Sequence, residues 1–298
     1  MMNDYAVRAV ACDGKIRILA AVTTNTVEEA RRRHDLSPVA SAALGRVLTA
    51  GSLLGLTLKG EDLITMRIDG DGPLGRIIAD CNANGEVRGY VDNPHVFLPL
   101  NDKGKLAVGE AVGQGMLYLT KDLGLKEPYT GSAPLVSGEI GEDLANYFAV
   151  SEQLPSAVGL GVLVGPEGIL HSGGYMIQLF PDVEEEVAEK LEKVLKKLPA
   201  VTDLLQQGFT PEKIIEAIFS GLDVSYLDKQ EVKFQCTCGL EKIERVLAAL
   251  GEKELEDILK EKGQIEVKCH FCQEEYVLSA EEARAMLFKA KMKAKGLQ

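Results

Sequence analysis

An α+β fold is what this sequence predicts: a mixed sheet-and-helix N-terminal domain, a helical linker and a small third unit at the C-terminal end. Three observations predict it. Over the first 180 residues, strand-like and helix-like runs follow one another without the regular alternation that a doubly wound sheet requires. From Pro181 the composition turns acidic and helical: residues 181–231 hold 12 acidic and 6 basic residues, half of the net charge of −12 in about a sixth of the chain. Four of the six cysteines then fall within 37 residues, at Cys236, Cys238, Cys269 and Cys272. At 298 residues the chain has room for about two domains of ordinary size, and the shifts in composition place boundaries at 1–180, 181–231 and 232–298.

Within residues 1–180, Val7–Val10 and Ile16–Ala21 flank Asp13-Gly14, a hairpin signal. Thr26 and Glu29 have the spacing of a capping box for a short charged helix. Ser37-Pro38 supplies an N-cap and a proline at the first helical position ahead of Val39–Leu58. That apolar stretch carries Arg46 and several small polar residues, so it reads as a buried helix; a membrane span needs ~20 mostly apolar residues. Strand-like runs follow at Leu63–Ile68, Arg76–Ala79 and Glu86–Val91, the last two joined through Asn84-Gly85. A turn-rich middle leads to a helix over Glu139–Val150, then to strands Val158–Val164 and Ile169–Leu179 around Gly165–Gly168.

Two helices are predicted in 181–231. Val183, Val187, Leu191, Val194, Leu195 and Leu198 share one face, with Glu and Lys on the other. Thr210-Pro211 opens the second, which carries Ile214, Ile215, Ile218 and Phe219 and stops at Gly221. Short amphipathic helices are marginal in water by themselves, so this linker is expected to be ordered only while docked. Residues 232–298 balance 12 acidic against 12 basic residues. They read as strand Val232–Gln235, Cys-Thr-Cys-Gly, helices bearing Ile243/Val246/Leu247/Leu250 and Leu255/Ile258/Leu259, and strand Gln264–Lys268. Cys-His-Phe-Cys, strand Tyr276–Leu278 and a Lys-rich helix capped by Ser279/Glu282 complete the order. A unit this small has a meagre core and requires a staple.

With 46% hydrophobic and 26% charged residues, the composition excludes wholesale disorder. Lys+Arg 33 against Asp+Glu 45 argues against a phosphate-coating nucleic-acid binder and against an anionic membrane surface. The opening residues lack the basic and apolar regions of a secretory signal. A cytosolic protein with reduced cysteines is therefore expected, and clustered thiols there serve metal or redox chemistry.

Cys236-Thr237-Cys238 and, 30 residues on, Cys269-His270-Phe271-Cys272 supply four thiolates in two close pairs. Zinc takes four such soft ligands in a tetrahedron. One zinc ion on Cys236, Cys238, Cys269 and Cys272 is the expectation, which makes 232–298 a small zinc-binding domain. Four inert buried cysteines, or His270 in place of one thiol, are the alternatives. A closed four-thiolate site has no open position for water and is a poor hydrolytic catalyst; no catalytic residue is assigned. It can act as a redox fuse, because thiolates oxidise through sulfenic acid to disulfides. Lost ligands take with them the folding energy of structural zinc, ~10–16 kcal/mol in finger peptides, and whatever leans on the unit comes loose. Gly70-Asp71-Gly72-Pro73-Leu74-Gly75 matches G-x-G-x-x-G, but no helix pattern follows to receive a pyrophosphate, so it reads as a turn. His34, His95 and His171 read as structural, Cys12 and Cys81 as packing thiols.

The four-cysteine arrangement at the end of an acidic, mixed chain resembles the redox-regulated 33 kDa chaperonin family of heat-shock holdases. The likeness extends over nearly the whole chain, through Ile68–Gly75, Ser137-Gly138-Glu139-Ile140, Ser151-Glu152-Gln153-Leu154-Pro155-Ser156 and Gly159–Val164. The resemblance implies a bacterial cytosolic chaperone, not an enzyme, that uses no ATP. It implies a reduced, zinc-bound, inactive form. Peroxide with unfolding conditions, or hypochlorous acid, then oxidises neighbouring cysteines, zinc leaves, the linker unfolds, and a homodimer holds unfolding client proteins. By position the disulfides would be Cys236–Cys238 and Cys269–Cys272. Residues 181–231 would cover hydrophobic surface of the client-binding and dimerisation core, 1–180, until oxidation. A zinc-stapled module that binds nucleic acid or a partner protein is the alternative from another class, with Lys289, Lys291, Lys293 and Lys295 as its basic tail. A thiol oxidoreductase at Cys269-x-x-Cys272 ranks third, since such sites open a helix and here a strand follows.

Overall fold

The computed structural model describes residues 3–294; Lys295, and the side chains of Lys291 and Lys293, lie outside the described residues. The α+β expectation holds. The chain packs as two compact units, residues 1–235 and 236–298.

In the first unit, β1 (Tyr5–Ala11) and β2 (Ile16–Val22) form the hairpin expected at Asp13-Gly14. Its turn places Cys12, Asp13 and Gly14 at positive φ. α1 (Thr24–His34) follows, and here the expected capping box is corrected. The helix starts earlier, Thr26 is buried within it, and Glu29 pairs instead with Arg32 and Arg33. The cap comes from far up the chain: the Asp4 carboxylate accepts from the backbone N–H of Asn25 (3.1 Å) and of Thr26 (2.6 Å). Asp4 also accepts Val232 N–H on its own carbonyl, at 3.1 Å. Loss of a capping side chain costs ~0.5–2 kcal/mol, so Asp4→Ala is expected to lower the stability of residues 1–235 by about that amount, read as a reduced midpoint in urea. An unchanged midpoint would show that Asp4 does not hold the helix.

α2 (Pro38–Gly55) begins as expected, with the Ser37 hydroxyl accepting from Ala40 N–H at 3.4 Å. Every α2 residue except Pro38 and Arg46 is buried, as a helix that is apolar all round must be. β3 (Leu63–Gly70), β4 (Arg76–Asn82) and β5 (Glu86–Val91) match the predicted strands. The turn-rich middle is more structured than its sequence suggested: it holds α3 (Val108–Val112), β6 (Gly115–Asp122) and β7 (Tyr129–Pro134). α4 (Gly141–Ser151), β8 (Ser156–Val164) and β9 (Ile169–Leu179) complete the predicted order. The segment after Pro181 forms three helices rather than two, α5 (Glu185–Leu195), α6 (Val201–Gln206) and α7 (Pro211–Ile218). It continues into β10 (Val224–Glu231), a strand the sequence did not suggest, and β11 (Lys233–Phe234).

Two sheets organise this unit, β10-β1-β2-β9-β8 and β11-β5-β4-β3-β6-β7. All pairs are antiparallel except β11 with β5. The alternation of strand side chains divides the first sheet cleanly. Ala6, Leu19, Ala21 and Met176 face a core built on α2 and the second sheet. Val7, Ala9, Ile18, Ala20 and Ile177 face a second core built on α5, α6 and α7.

The second unit contains α8 (Leu240–Leu250), α9 (Glu252–Lys262), the hairpin β12 (Gln264–Lys268) with β13 (Glu275–Ser279), and α10 (Ala280–Ala294). The Ser279/Glu282 cap forms reciprocally, at 2.9 and 3.3 Å. The core is small: Ile243, Leu247, Leu255, Leu259, Ile265, Leu278, Ala283 and Leu287. No helix among the described residues is long and apolar enough to cross a membrane.

Candidate metal centre

Lys268 and Glu275 form the last pair of the β12–β13 ladder, and the six residues between them make a closed turn. Cys269 N–H donates to Glu274 O at 2.9 Å, and Gln273 N–H donates to Cys269 O at 2.8 Å. Gln273 takes a left-handed conformation to permit this, φ +59°. Cys236 and Cys238 lie in the extended segment before α8, whose first turn is anchored by Gly239 O accepting from Lys242 and Ile243 N–H. Lys242 Nζ donates to Thr237 Oγ1 at 2.6 Å and steadies the residue between the two cysteines.

These two segments bring the Sγ atoms of Cys236, Cys238, Cys269 and Cys272 within 4.8 Å of one another. Cys236 and Cys269 are 3.8 Å apart, Cys238 and Cys272 3.3 Å. Metal–sulfur bonds of ~2.3 Å in a tetrahedron set the sulfurs about 3.8 Å apart, so the donor set and its spacing fit one thiophilic cation. The electrostatics agree. Burial holds the Cys269 thiol above its ordinary pKa and raises Cys272 much further, with the neighbouring sulfurs adding to the rise. Four sulfurs this crowded can all be thiolates only around a positive charge.

Of the expected site residues, all four cysteines converge, and among the described residues they are the only such group. His270 is exposed and outside it. Cys272 is followed by strand β13 rather than by a helix, so it lacks the helix N-terminus that lowers the thiol pKa in a dithiol oxidant. Sequence reasoning missed Tyr276, whose Oη lies 3.3 Å from Cys238 Sγ. That contact is the main cause of a strongly raised phenol pKa; nothing in the strand pattern marks the residue.

The other singled-out residues belong to the first unit and are not members of the cluster. The Gly70–Gly75 segment is the β3–β4 turn, and its glycines serve packing: a Cβ on Gly70 would stand 2.0 Å from Val112 O, and one on Gly72 would stand 2.4 Å from Ala111 O. Cys81 is buried, and burial lifts its thiol pKa to about 12. His34 is buried, and His95 lies 3.9 Å from the exposed Asp35 carboxylate.

A second feature of the first unit bears on function. On one face of the first sheet, Val7, Ala9, Ala11, Ile16, Ile18, Ala20, Val22 and Ile177 form a broad apolar surface. Val201, Leu204, Leu205, Ile214, Ile215, Ile218 and Phe219, from α6 and α7 with the residue after it, cover that surface. α5 holds on lightly, with Leu191 its one buried residue.

Comparison with known proteins gives one answer. The Hsp33 protein family matches residues 4–279. The 33 kDa chaperonin of Desulforamulus reducens is 52% identical over 287 residues, 96% of this chain and 98% of the relative. That of a Geobacillus species is 50% identical over 283 residues, 94% and 96% of the two chains. The crystal structure of the 33 kDa chaperonin (heat shock protein 33 homolog) from Thermotoga maritima aligns with a TM-score of 0.90 at 42% identity, over 98% of this chain and 100% of that one.

Proposed function

This chain belongs to the Hsp33 family and is a redox-regulated molecular chaperone, and from that premise we propose how its own residues carry the switch. In the reduced form Cys236, Cys238, Cys269 and Cys272 hold one zinc ion. Bound zinc would keep the four sulfurs as thiolates and tie the segment before α8 to the β12–β13 turn. In that state α5, α6, α7 and β10 stay docked, and the apolar face under α6 and α7 is closed to clients.

Oxidation acts on the sulfurs. Each disulfide forms from two cysteine thiolates, which give two electrons to one hydrogen peroxide; its O–O bond breaks, solvent supplies two protons and two waters leave. The family resemblance assigns the pairs Cys236–Cys238 and Cys269–Cys272. Two disulfides consume all four donors, and a structural zinc site of this type is worth ~10–16 kcal/mol to the fold it holds. The small core around Leu247, Leu255 and Leu259 then has no staple. Cys236 follows β11 after a single residue, and β11 follows β10 after one, so disorder in residues 236–298 begins a few residues beyond the end of the 181–231 segment. That segment comes away, and the face bearing Val7, Ile16, Ile18 and Ile177 binds apolar side chains of unfolding proteins in competition with their aggregation. Non-directional burial of apolar area suits clients of any sequence. The active protein is a cytoplasmic homodimer without ATP, nucleic acid or a chemical substrate.

The observation that carries this reading is the convergence of four sulfurs in a unit with so small a core. Its test is peroxide treatment at mildly raised temperature, with a metallochromic dye reading zinc and light scattering reading aggregation of an unfolding client. Zinc release should track suppression, and dithiothreitol with zinc should reverse both. Zinc retained without suppression would leave a plain structural zinc domain.

A further inference from the structure

β10 is joined to the first sheet in an unusual way. It pairs with β1 along its whole length, from Tyr5 opposite Glu231 to Ala11 opposite Val224, with one bulge between Arg8 and Ala9 that leaves Leu227 without an opposite residue. Yet Ser225, Tyr226, Leu227, Asp228 and Lys229 are all exposed. No side chain from the middle of this strand enters the core. Its side-chain ties lie at the surface: Asp228 to Arg8, Lys229 to Glu212 at 3.1 Å and over the Tyr5 ring, the Tyr226 hydroxyl to the Glu212 carbonyl at 3.4 Å, and Gln230 to the Ala83 carbonyl at 2.5 Å. β10 is therefore held mainly by main-chain hydrogen bonds, which any extended segment can offer. The lane it fills runs beside Val7, Ala9 and Ala11, which belong to the apolar face under α6 and α7.

We propose that the edge of β1, Tyr5–Ala11, is a strand-addition site for extended segments of unfolded polypeptide, and that β10 is its built-in occupant in the reduced protein. This rests on the reading that oxidation releases the 181–231 segment. Sheet edges bind extended peptides through the backbone, with pockets for alternate side chains. In β10 the positions opposite Val7, Ala9 and Ala11 hold Lys229, Tyr226 and Val224, so this row accepts varied side chains, while Arg8 on the other face favours an acidic residue, as Asp228 is in β10. The site is specific for chain conformation rather than sequence, and a folded protein has no such segment to offer. Because β10 stays tethered nearby at high effective concentration, a client gains the lane only when the anchors at both ends of β10, Val224 against the edge of the apolar core and Val232 on Asp4, are lost.

The test uses the oxidised full chain and a labelled peptide of residues 223–232. Fluorescence anisotropy reads its binding and its displacement of a reduced, carboxymethylated protein that cannot fold. Two further peptides carry backbone N-methyl groups on alternate residues, in one phase or the other. Strand addition predicts binding to the oxidised form only, and loss of at least tenfold in affinity for one phase of methylation and not the other. Equal binding by all three peptides, or binding by none, overturns the proposal. Trypsin cleavage after Lys213 and Lys229 in the same samples separates the two readings. Cleavage without peptide binding rejects strand addition alone; resistance in the oxidised form rejects the release on which it rests.

Discussion

Replacing Cys272 with serine is expected to strip the metal from the reduced protein, unfold residues 236–298 and loosen residues 181–231, while the core around α2 stays folded. Cys272 is the buried member of the cluster, and serine offers a hard, neutral hydroxyl where a soft thiolate is needed. The binding energy at stake is ~10–16 kcal/mol, more than a unit of this size holds in reserve. The two units have separate cores, so the core on α2 should outlast the loss. Metal content by mass spectrometry should fall from one zinc per chain toward none. The amide resonances of α8 and α9 should collapse, and tryptic cleavage within 181–231 should appear without any oxidant. A Cys272→Ser protein that kept stoichiometric zinc and full protease resistance at 181–231 would refute this.

The second large effect belongs to the cover rather than to the sensor. Ile215 is fully buried between α7 and the sheet, and α7 has only eight residues, too few to persist undocked. An aspartate there must either bury an unpaired charge, at a cost of many kcal/mol, or leave. Ile215→Asp is therefore expected to open the apolar face in the reduced, zinc-loaded protein and to suppress client aggregation without peroxide. Ile215→Val, which removes one methyl at ~0.5–1.5 kcal/mol, should stay closed and inactive until oxidised. If Ile215→Asp retains zinc, binds a hydrophobic dye and still fails to suppress aggregation, the face under α6 and α7 is not where clients bind.

What could be read from the sequence was what local chemistry dictates. Asp13-Gly14, Ser37-Pro38, Thr210-Pro211 and Ser279/Glu282 each mark a structural event within a few residues of themselves, and each event is where it was expected. The cysteine quartet was legible for a similar reason, since two tight pairs of soft ligands have little other use in a reduced chain. The missed features depend on partners far along the chain. Thr26 and Glu29 imitate a capping box, but Asp4 reaches α1 across a hairpin and takes the role. β10 carries Asp-Lys-Gln-Glu with its side chains in solvent, so no apolar alternation announces a strand; β1 supplies the reason it is one. β7 is likewise an edge strand rich in Thr, Gly, Ser and Pro, and α6 is too short to show a period. Tyr276 joins the sulfur cluster only because the β12–β13 turn folds its strand back beside Cys238.

The central claim is that oxidation of four sulfurs in one unit uncovers an apolar face in the other, and amide hydrogen exchange on the intact chain tests it most directly. Peptides spanning α5, α6, α7 and β10 should be protected in the reduced, zinc-loaded protein. They should lose protection when both disulfides form and regain it with dithiothreitol and zinc, while α2 stays protected throughout. Unchanged protection across residues 185–231 in a fully oxidised, client-binding protein would contradict the account.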